Sequence, residues 1–588
     1  MAFANARYRA AVSSLAFGVL VAGAAKAQMF PAAPNPYGAR YEAETLAPLG
    51  KLRPVTPEML ASPPAGEWLL WRRTYDGWGY SPLDQINKAN VKGLQLRWSW
   101  TLSAGPTEAT PIVHDGVLFI QAFGGEVDAL DATNGSLLWR YHRTLPADAR
   151  PTYTKGMSVY RDVLIFTTPD KHLVALNMKT GQPVWDTPIP GDGGFDGAPL
   201  VVKDKVLVSA TNCVTSACYI AGFDANSGKQ IWRFSTIAQP GEPGGDTWNG
   251  LPADERFGGS SWTSGSYDPV TGLVYWGVGQ PYTWNAFARG TSPLKPGQNN
   301  DLLYTNNTLA LDPDTGKLVW HYAHLPNDTW DLDYTFERQI IDLKVDGRMR
   351  HLVVTAGKMA IIEALDAKTG EFVFAKDMGL QNVVQSIDPK TGVKTINPAV
   401  IPQINQTVSL CPHPGGARSF PATGYNPNTK TLYLPLQEFC TDMTPGPKPP
   451  GEKTAPSRFI VKLREGSDGL LGRLDAVNLE TRQNLWSHRQ RAPETSAALP
   501  TGGGVVFSGS IDRYFAAHDD RSGKVLWQAR LNDVPNSFPI TYSVNGKQYV
   551  AVSTGSGSPY TLGFGPLFPE IKNPQPTGST LWVFALPD

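Results

Sequence analysis

One phrase recurs along this chain of 588 residues and constrains its fold more than any other feature. It runs Ala-Leu-Asp, two variable residues, Thr-Gly or a close equivalent, three more residues and a tryptophan. It reads Ala129-Leu130-Asp131 to Trp139, Ala175-Leu176-Asn177 to Trp185, Gly222-Phe223-Asp224 to Trp232 and Ala310-Leu311-Asp312 to Trp320. It continues as Ala364-Leu365-Asp366 to Phe374, Ala476-Val477-Asn478 to Trp486 and Ala517-His518-Asp519 to Trp527. Trp98, in Leu94-Gln95-Leu96-Arg97-Trp98, adds an eighth closing aromatic that lacks the turn.

Each repeat is a strand, a tight turn and a second strand. The Asp or Asn side chain caps the turn, and glycine accepts the positive φ that the turn demands. Intervals of 41 to 47 residues between many of the aromatics match one four-stranded blade. The spans from Trp232 to Trp320 and from Phe374 to Trp486 are longer, so insertions decorate those blades. Length alone suggests several domains, but a repeat of this kind makes one unit. The expectation is an all-β, eight-bladed β-propeller with docking aromatics packed between neighbouring sheets. Residues 580–586 are expected to pair with an N-terminal segment, since radial closure leaves few exposed strand edges. No helical periodicity is sustained, and residues 441–456, rich in Pro, Gly and Lys, read as a surface loop.

Formal charge is zero, with 52 basic and 52 acidic residues, which removes any electrostatic case for nucleic acid. Arg7 and Arg9 precede an apolar stretch, residues 10–25, and Ala25-Lys26-Ala27 forms a small-x-small cleavage site. This is the pattern of an export signal, residues 1–27, leaving residues 28–588 as a single domain. The stretch is too short and too rich in Ala and Gly to span a bilayer. Cys213, Cys218, Cys411 and Cys440 allow three pairings, and an even count in an exported chain favours Cys213–Cys218 with Cys411–Cys440. There is no Cys-x-x-Cys-His for a c-type haem and no phosphate-binding glycine loop. His321 and His324 read as surface residues and are given no role.

From about Trp71 onward, a series of segments occurs in a familiar order. They are Tyr80-Ser81-Pro82-Leu83-Asp84-Gln85-Ile86-Asn87, Glu108-Ala109-Thr110-Pro111, and Ser261-Trp262 with Tyr267-Asp268-Pro269. Gly277-Val278-Gly279-Gln280-Pro281 and Asn327-Asp328-Thr329-Trp330-Asp331-Leu332-Asp333 follow, and Tyr542 to Ala551 ends the series. Together they resemble the pyrroloquinoline-quinone-dependent alcohol dehydrogenases, the methanol and ethanol dehydrogenase large subunits without a haem domain.

The resemblance implies a flat aromatic cofactor with three carboxylates, which needs an aromatic floor, cations and a metal. Trp262 takes the floor; it follows no Thr-Gly turn, which separates it from a docking tryptophan. Lys358 matches the position whose cation approaches the quinone oxygens, and Lys155 stands where the family usually has Arg. Glu108 would hydrogen-bond the cofactor edge or cap a turn. Asp331 would be the general base, and Gln280, Asp331 and Asp333 the metal ligands. The implied metal is calcium, with a lanthanide as the alternative.

Besides Lys155, the chain departs from the family at Gln280, which stands where the family has a metal-binding Asn, and in two further stretches. Thr211-Asn212-Cys213 replaces a Gly-Ala-Glu that supplies a metal ligand, and Ala149-Arg150 lies where the family has adjacent cysteines. Cys411 and Cys440 do match a bridging pair of the family.

The implied activity is periplasmic oxidation of an alcohol, with electrons leaving to a soluble cytochrome c. The remodelled surroundings of residues 149–150 and 211–218 point to a substrate bulkier than methanol, a cyclic or secondary alcohol. The alternatives are a sugar or polyol dehydrogenase of the same cofactor class and a non-catalytic propeller scaffold.

Overall fold

A computed structural model of the chain describes residues 38–149, 153–556, 558, 565–572 and 578–588. The leader, its cleavage site and Arg150 lie outside the described residues. The polypeptide divides into residues 1–46 and a second unit, residues 47–588, and all that follows concerns the second. The second unit opens within a helix, Gly38–Lys51, that was not anticipated. Pro48 inside it, and glycines near both ends, obscure its periodicity in the sequence.

Among the described residues are eight four-stranded antiparallel sheets; five are built from consecutive strands, two skip inserted strands, and one joins the first strand to the last three. In a typical sheet the first three strands, Ile112–His114, Val117–Gln121 and Val127–Asp131, are almost wholly buried. The fourth, Leu137–Tyr141, is only partly buried. That gradient explains why the inner strands read as unbroken apolar runs. The exceptional sheet joins the two ends of the unit, because Gln95–Thr101 pairs with Thr580–Ala585, as expected.

The recurring phrase acquires its meaning between sheets. The Trp98 indole N–H donates to the Ala132 carbonyl at 3.3 Å, in the turn of the next sheet, and Trp139 to Met178 at 2.9 Å. Trp185 donates to Ala225, Trp232 to Pro313, Trp320 to Ala367 and Trp486 to Asp520, each one sheet further on. Trp527 donates to the Leu94 carbonyl at 3.1 Å, which returns the series to its start. Phe374 has no N–H, and there the Arg482 guanidinium lies 5.6 Å over the ring instead.

The turn glycine seats on the same aromatic. A Cβ on Gly135 would stand 2.6 Å from Trp98, and one on Gly316 2.4 Å from Trp232, at φ of +77° and +70°. Glycine is therefore required twice over, by backbone conformation and by the ring above it. A bulge after the Ala or Gly of each phrase, as between Ala129 and Leu130, recurs in the paired strands and turns the chain toward that contact.

The insertions form their own small sheets, Phe257–Gly258 with Pro281–Tyr282 and Val408–Leu410 with Phe439–Pro445 and Ser457–Leu463. Residues 441–445 therefore belong to a strand, which corrects the loop reading of residues 441–456 for its first part. Their burial alternates along Thr441, Asp442, Met443, Thr444 and Pro445 with period two, a pattern that their polar composition hides. Both disulfides, Cys213–Cys218 and Cys411–Cys440, are formed.

Candidate active site

The residues singled out in the sequence come from loops hundreds of positions apart, yet Glu108, Lys155, Trp262, Gln280, Asp331, Asp333 and Lys358 all line one cavity of about 450 Å³. Its acidic centre is built by a turn. The Asp328 carboxylate accepts from the backbone N–H of Trp330 and of Leu332, each at 2.8 Å, and from Asn306 Nδ2 at 2.9 Å. This closes the chain tightly enough to hold Asp331 at φ +66°, a conformation that non-glycine residues rarely adopt.

Asp331 and Asp333 then share one cation. Lys358 Nζ lies 2.9 Å from Asp331 Oδ1 and 3.0 Å from Asp333 Oδ2. Asp333 is fixed further by the Gln280 backbone N–H at 2.8 Å and by Trp262 Nε1 at 3.3 Å. Gly279 makes room for it, because a Cβ there would fall 2.4 Å from Asp333 Oδ1. Burial raises the Asp331 pKa well above the ordinary carboxylate range; the Asp333 charge adds to the rise and Lys358 opposes it. The two carboxylates hold Lys358 firmly in its ammonium form against the cost of burial.

A second buried pair stands across the cavity. Lys155 Nζ lies 2.7 Å from Glu108 Oε2, both side chains 2% exposed, and Ser558 Oγ donates to Glu108 Oε1. Lys155 is thus no surface lysine, and its ammonium also lies 5.6 Å from the Trp262 ring centroid. Asp196 joins this group; burial raises its pKa, with Lys155 opposing. The Trp262 ring meets Phe336 edge to face at 5.2 Å and lines the cavity, while the docking tryptophans span sheets.

Sequence reasoning missed the opposite wall. Tyr282, Trp284, His413 and Phe459 line it, with Trp284 5.9 Å and His413 6.0 Å from Phe459 between ring centroids. Trp284, like Trp262, follows no Thr-Gly turn, and that was the available signal. Burial pushes His413 down to about 4, with Lys358 acting in the same direction, and its Nδ1 accepts from the Gly415 N–H at 2.8 Å.

Three other readings meet the structure here. In the stretch that replaces the family's metal acid, Asn212 lines the cavity, whereas Cys213 is consumed in its disulfide. His324 is fully buried, which corrects its surface reading: it stacks on Tyr334 at 4.3 Å and its Nδ1 lies 2.9 Å from Glu363 Oε2. The alternating pattern around it gave no hint that a second sheet covers that face. Among the described residues, three side chains of the His, Asp and Glu kind, Glu67, His114 and Asp115, also stand close together, outside this cavity; Arg53 pairs with Asp115 there.

Comparison with known proteins agrees with this geometry. The family described as "PQQ: Glucose/ethanol/alcohol dehydrogenase, beta-propeller domain" matches residues 68–378 and 385–550. The dehydrogenase subunit of a quinone-type alcohol dehydrogenase from Gluconobacter oxydans is 33% identical, over 85% of this chain and 72% of its own length. A quinohemoprotein alcohol dehydrogenase of Pseudomonas putida is 32% identical, over 89% of this chain and 78% of its own. A europium-containing methanol dehydrogenase superposes with a TM-score of 0.82 at 26% identity, over 90% of this chain and 99% of that one. The repeat, the cavity and these relatives lead to one assignment: the chain belongs to the β-propeller family of pyrroloquinoline-quinone-dependent alcohol dehydrogenases.

Proposed function

We propose that the protein is a periplasmic quinoprotein dehydrogenase that oxidises a cyclic or secondary alcohol to its ketone and passes the electrons to a soluble cytochrome c. The observation that carries this reading is the convergence of Trp262, Lys155, Lys358, Asp331, Asp333 and Gln280 on one cavity. The export signal of residues 1–27 supports the compartment. The eight sheets and the returning series of indole hydrogen bonds support eight blades in one ring.

The residues present fit the implied groups. Gln280 Oε1 is buried without a hydrogen-bond partner among the described residues, beside two carboxylates, and such an oxygen set suits calcium or a lanthanide. Trp262 offers an aromatic face, and Lys155 and Lys358 offer cations for acidic and carbonyl oxygens. When bound, the quinone supplies a two-electron acceptor and the metal a Lewis acid beside it.

The rest of the chemistry belongs to the chain. Asp331 accepts the hydroxyl proton, as a carboxylate that lines the cavity and is held in place by its turn. Lys358 fixes the direction of that carboxylate through its 2.9 Å contact. Tyr282, Trp284 and Phe459 exclude water and offer apolar area to a ring-bearing substrate, where methanol would gain nothing from them.

The test is reconstitution of the mature protein with the quinone and calcium, followed by a substrate panel with an artificial electron acceptor. The panel holds methanol, a linear primary alcohol, a cyclic secondary alcohol and a sugar. Quinone-dependent turnover with the highest kcat/KM on the cyclic alcohol is expected. No quinone-dependent turnover would leave the scaffold reading; a preference for methanol would end the substrate assignment, and a preference for the sugar would replace it.

A further inference from the structure

Arg289 is 4% exposed and lies outside every motif discussed so far. It ends a one-turn helix, Ala286–Arg289, that is capped by Asn285 and stopped by Gly290 at φ +87°. Its guanidinium turns back under two segments that line the active cavity. Nη1 donates to the carbonyls of Thr283 at 2.5 Å and Trp284 at 2.7 Å, in the aromatic wall. Nη2 donates to Asn327 Oδ1 at 2.9 Å and to the Asp328 carbonyl at 3.1 Å, in the turn that carries Asp331. Nε donates to Thr291 Oγ1, which itself donates to Asn327 Oδ1 at 2.9 Å. A second strut runs parallel, since the Ala286 N–H donates to Thr329 Oγ1 at 2.9 Å.

We infer that Arg289 is a positioning residue that sets the distance between the aromatic wall and the Asp331 turn, and so governs which alcohols reach the base in a productive pose. A planar guanidinium with five donors in fixed directions can span four acceptors on two segments; an ammonium cannot. The arrangement is demanding. Burial pulls the Arg289 pKa down to about 9, with Asp328 opposing, so the charge is kept in a place that resists it. The turn needs such an anchor, because it holds Asn327 at φ +51° as well as Asp331 at +66°. Displacing a reacting group by an ångström through a change remote from the chemistry costs about 10²-fold in rate.

The inference rests on the proposed oxidation for its kinetic arm and stands without it for its structural arm. The structural arm is hydrogen–deuterium exchange in the full mature protein. In Arg289→Met, exchange at the Trp330 and Leu332 amides, which donate to Asp328, should rise at least about tenfold, with the inner sheet strands unchanged. The kinetic arm uses quinone- and calcium-loaded enzyme. Arg289→Met should lower kcat about 10²-fold and reduce the ratio of kcat/KM for a cyclic over a linear alcohol at least about fivefold. Quinone affinity, read by quenching of tryptophan fluorescence, should change less than about threefold. Arg289→Lys should recover part of kcat and little of the ratio, since it keeps charge without the span.

Should Arg289→Met fail to fold, Asn327→Ala removes a single acceptor and should move the same amides and the same ratio in the same direction. Unchanged exchange at Trp330 and Leu332 would overturn the inference, as would a loss of kcat equal for all alcohols. Inactive wild-type enzyme with increased exchange in the variant would refute the proposed oxidation and leave the positioning role standing.

Discussion

Trp262 and Asp331 touch the same cavity and serve different steps of the proposed reaction, so each can be removed separately. Asp331→Asn keeps the size of the side chain and a partner for Lys358, but an amide cannot accept the alcohol proton. At saturating quinone and metal, kcat should fall by about 10²–10⁴-fold with unfolding unchanged within a few degrees. Trp262→Ala removes the aromatic face and should weaken quinone binding more than about tenfold, measured by titration of the apoprotein, while the sheets persist. Trp262, Asp331, Lys358 and Gln280 were legible as members of a familiar series, and for Trp262 the missing turn added only that it is not a docking tryptophan. The salt bridge that buries Lys155 against Glu108 was not legible, because the two are 47 positions apart and no local pattern marks either as internal. Arg289 was invisible for a related reason: its partners are backbone carbonyls, which carry no side-chain signal.

The strand–turn–strand unit was readable almost letter by letter, since aromatic, Asx and glycine each answer a separate physical demand. Its one irregular copy makes a test. Arg482 occupies the turn position at φ +61°, where six other copies have glycine, and it faces Phe374 in place of a tryptophan. Gly316→Ala should destabilise by about 3 kcal/mol, from positive φ and from overlap with Trp232. Arg482→Gly should change stability by less than about 1 kcal/mol, because relief of backbone strain offsets a lost cation–π contact. Midpoints of denaturant unfolding compare the pair; equal losses would show that the ring beneath the turn is irrelevant. The inserted strands Phe439–Pro445 and Ser457–Leu463 were unreadable by contrast. Their apolar partners come from outside the repeat, so no periodic neighbour announced them.

Two groups facing one cavity between sheets, Glu494 and His518, should give the stability of the whole molecule opposing pH dependences. Burial pushes Glu494 up to about 8 and His518 down to about 4. For Glu494 the folded state holds a proton that the unfolded state has released, so stability falls as pH rises from about 4.5 to about 8. For His518 the unfolded state gains a proton first, so stability falls as pH drops from about 6.5 to about 4. Below about pH 6.5 the two effects oppose each other, so thermal unfolding should show a decline between about pH 6.5 and 8 in the wild type that Glu494→Gln removes. An unchanged profile in that variant would assign the decline to other groups.

The pairing of Gln95–Thr101 with Thr580–Ala585 has a consequence for biogenesis. Among the described strands Gln95–Thr101 is made first and its partner Thr580–Ala585 last, so a growing chain carries an unmated edge while the residues between them are synthesised. Such an edge is where nascent chains stick to one another. Shortening the gene by its final nine codons should therefore be far more damaging than a nick in any surface turn.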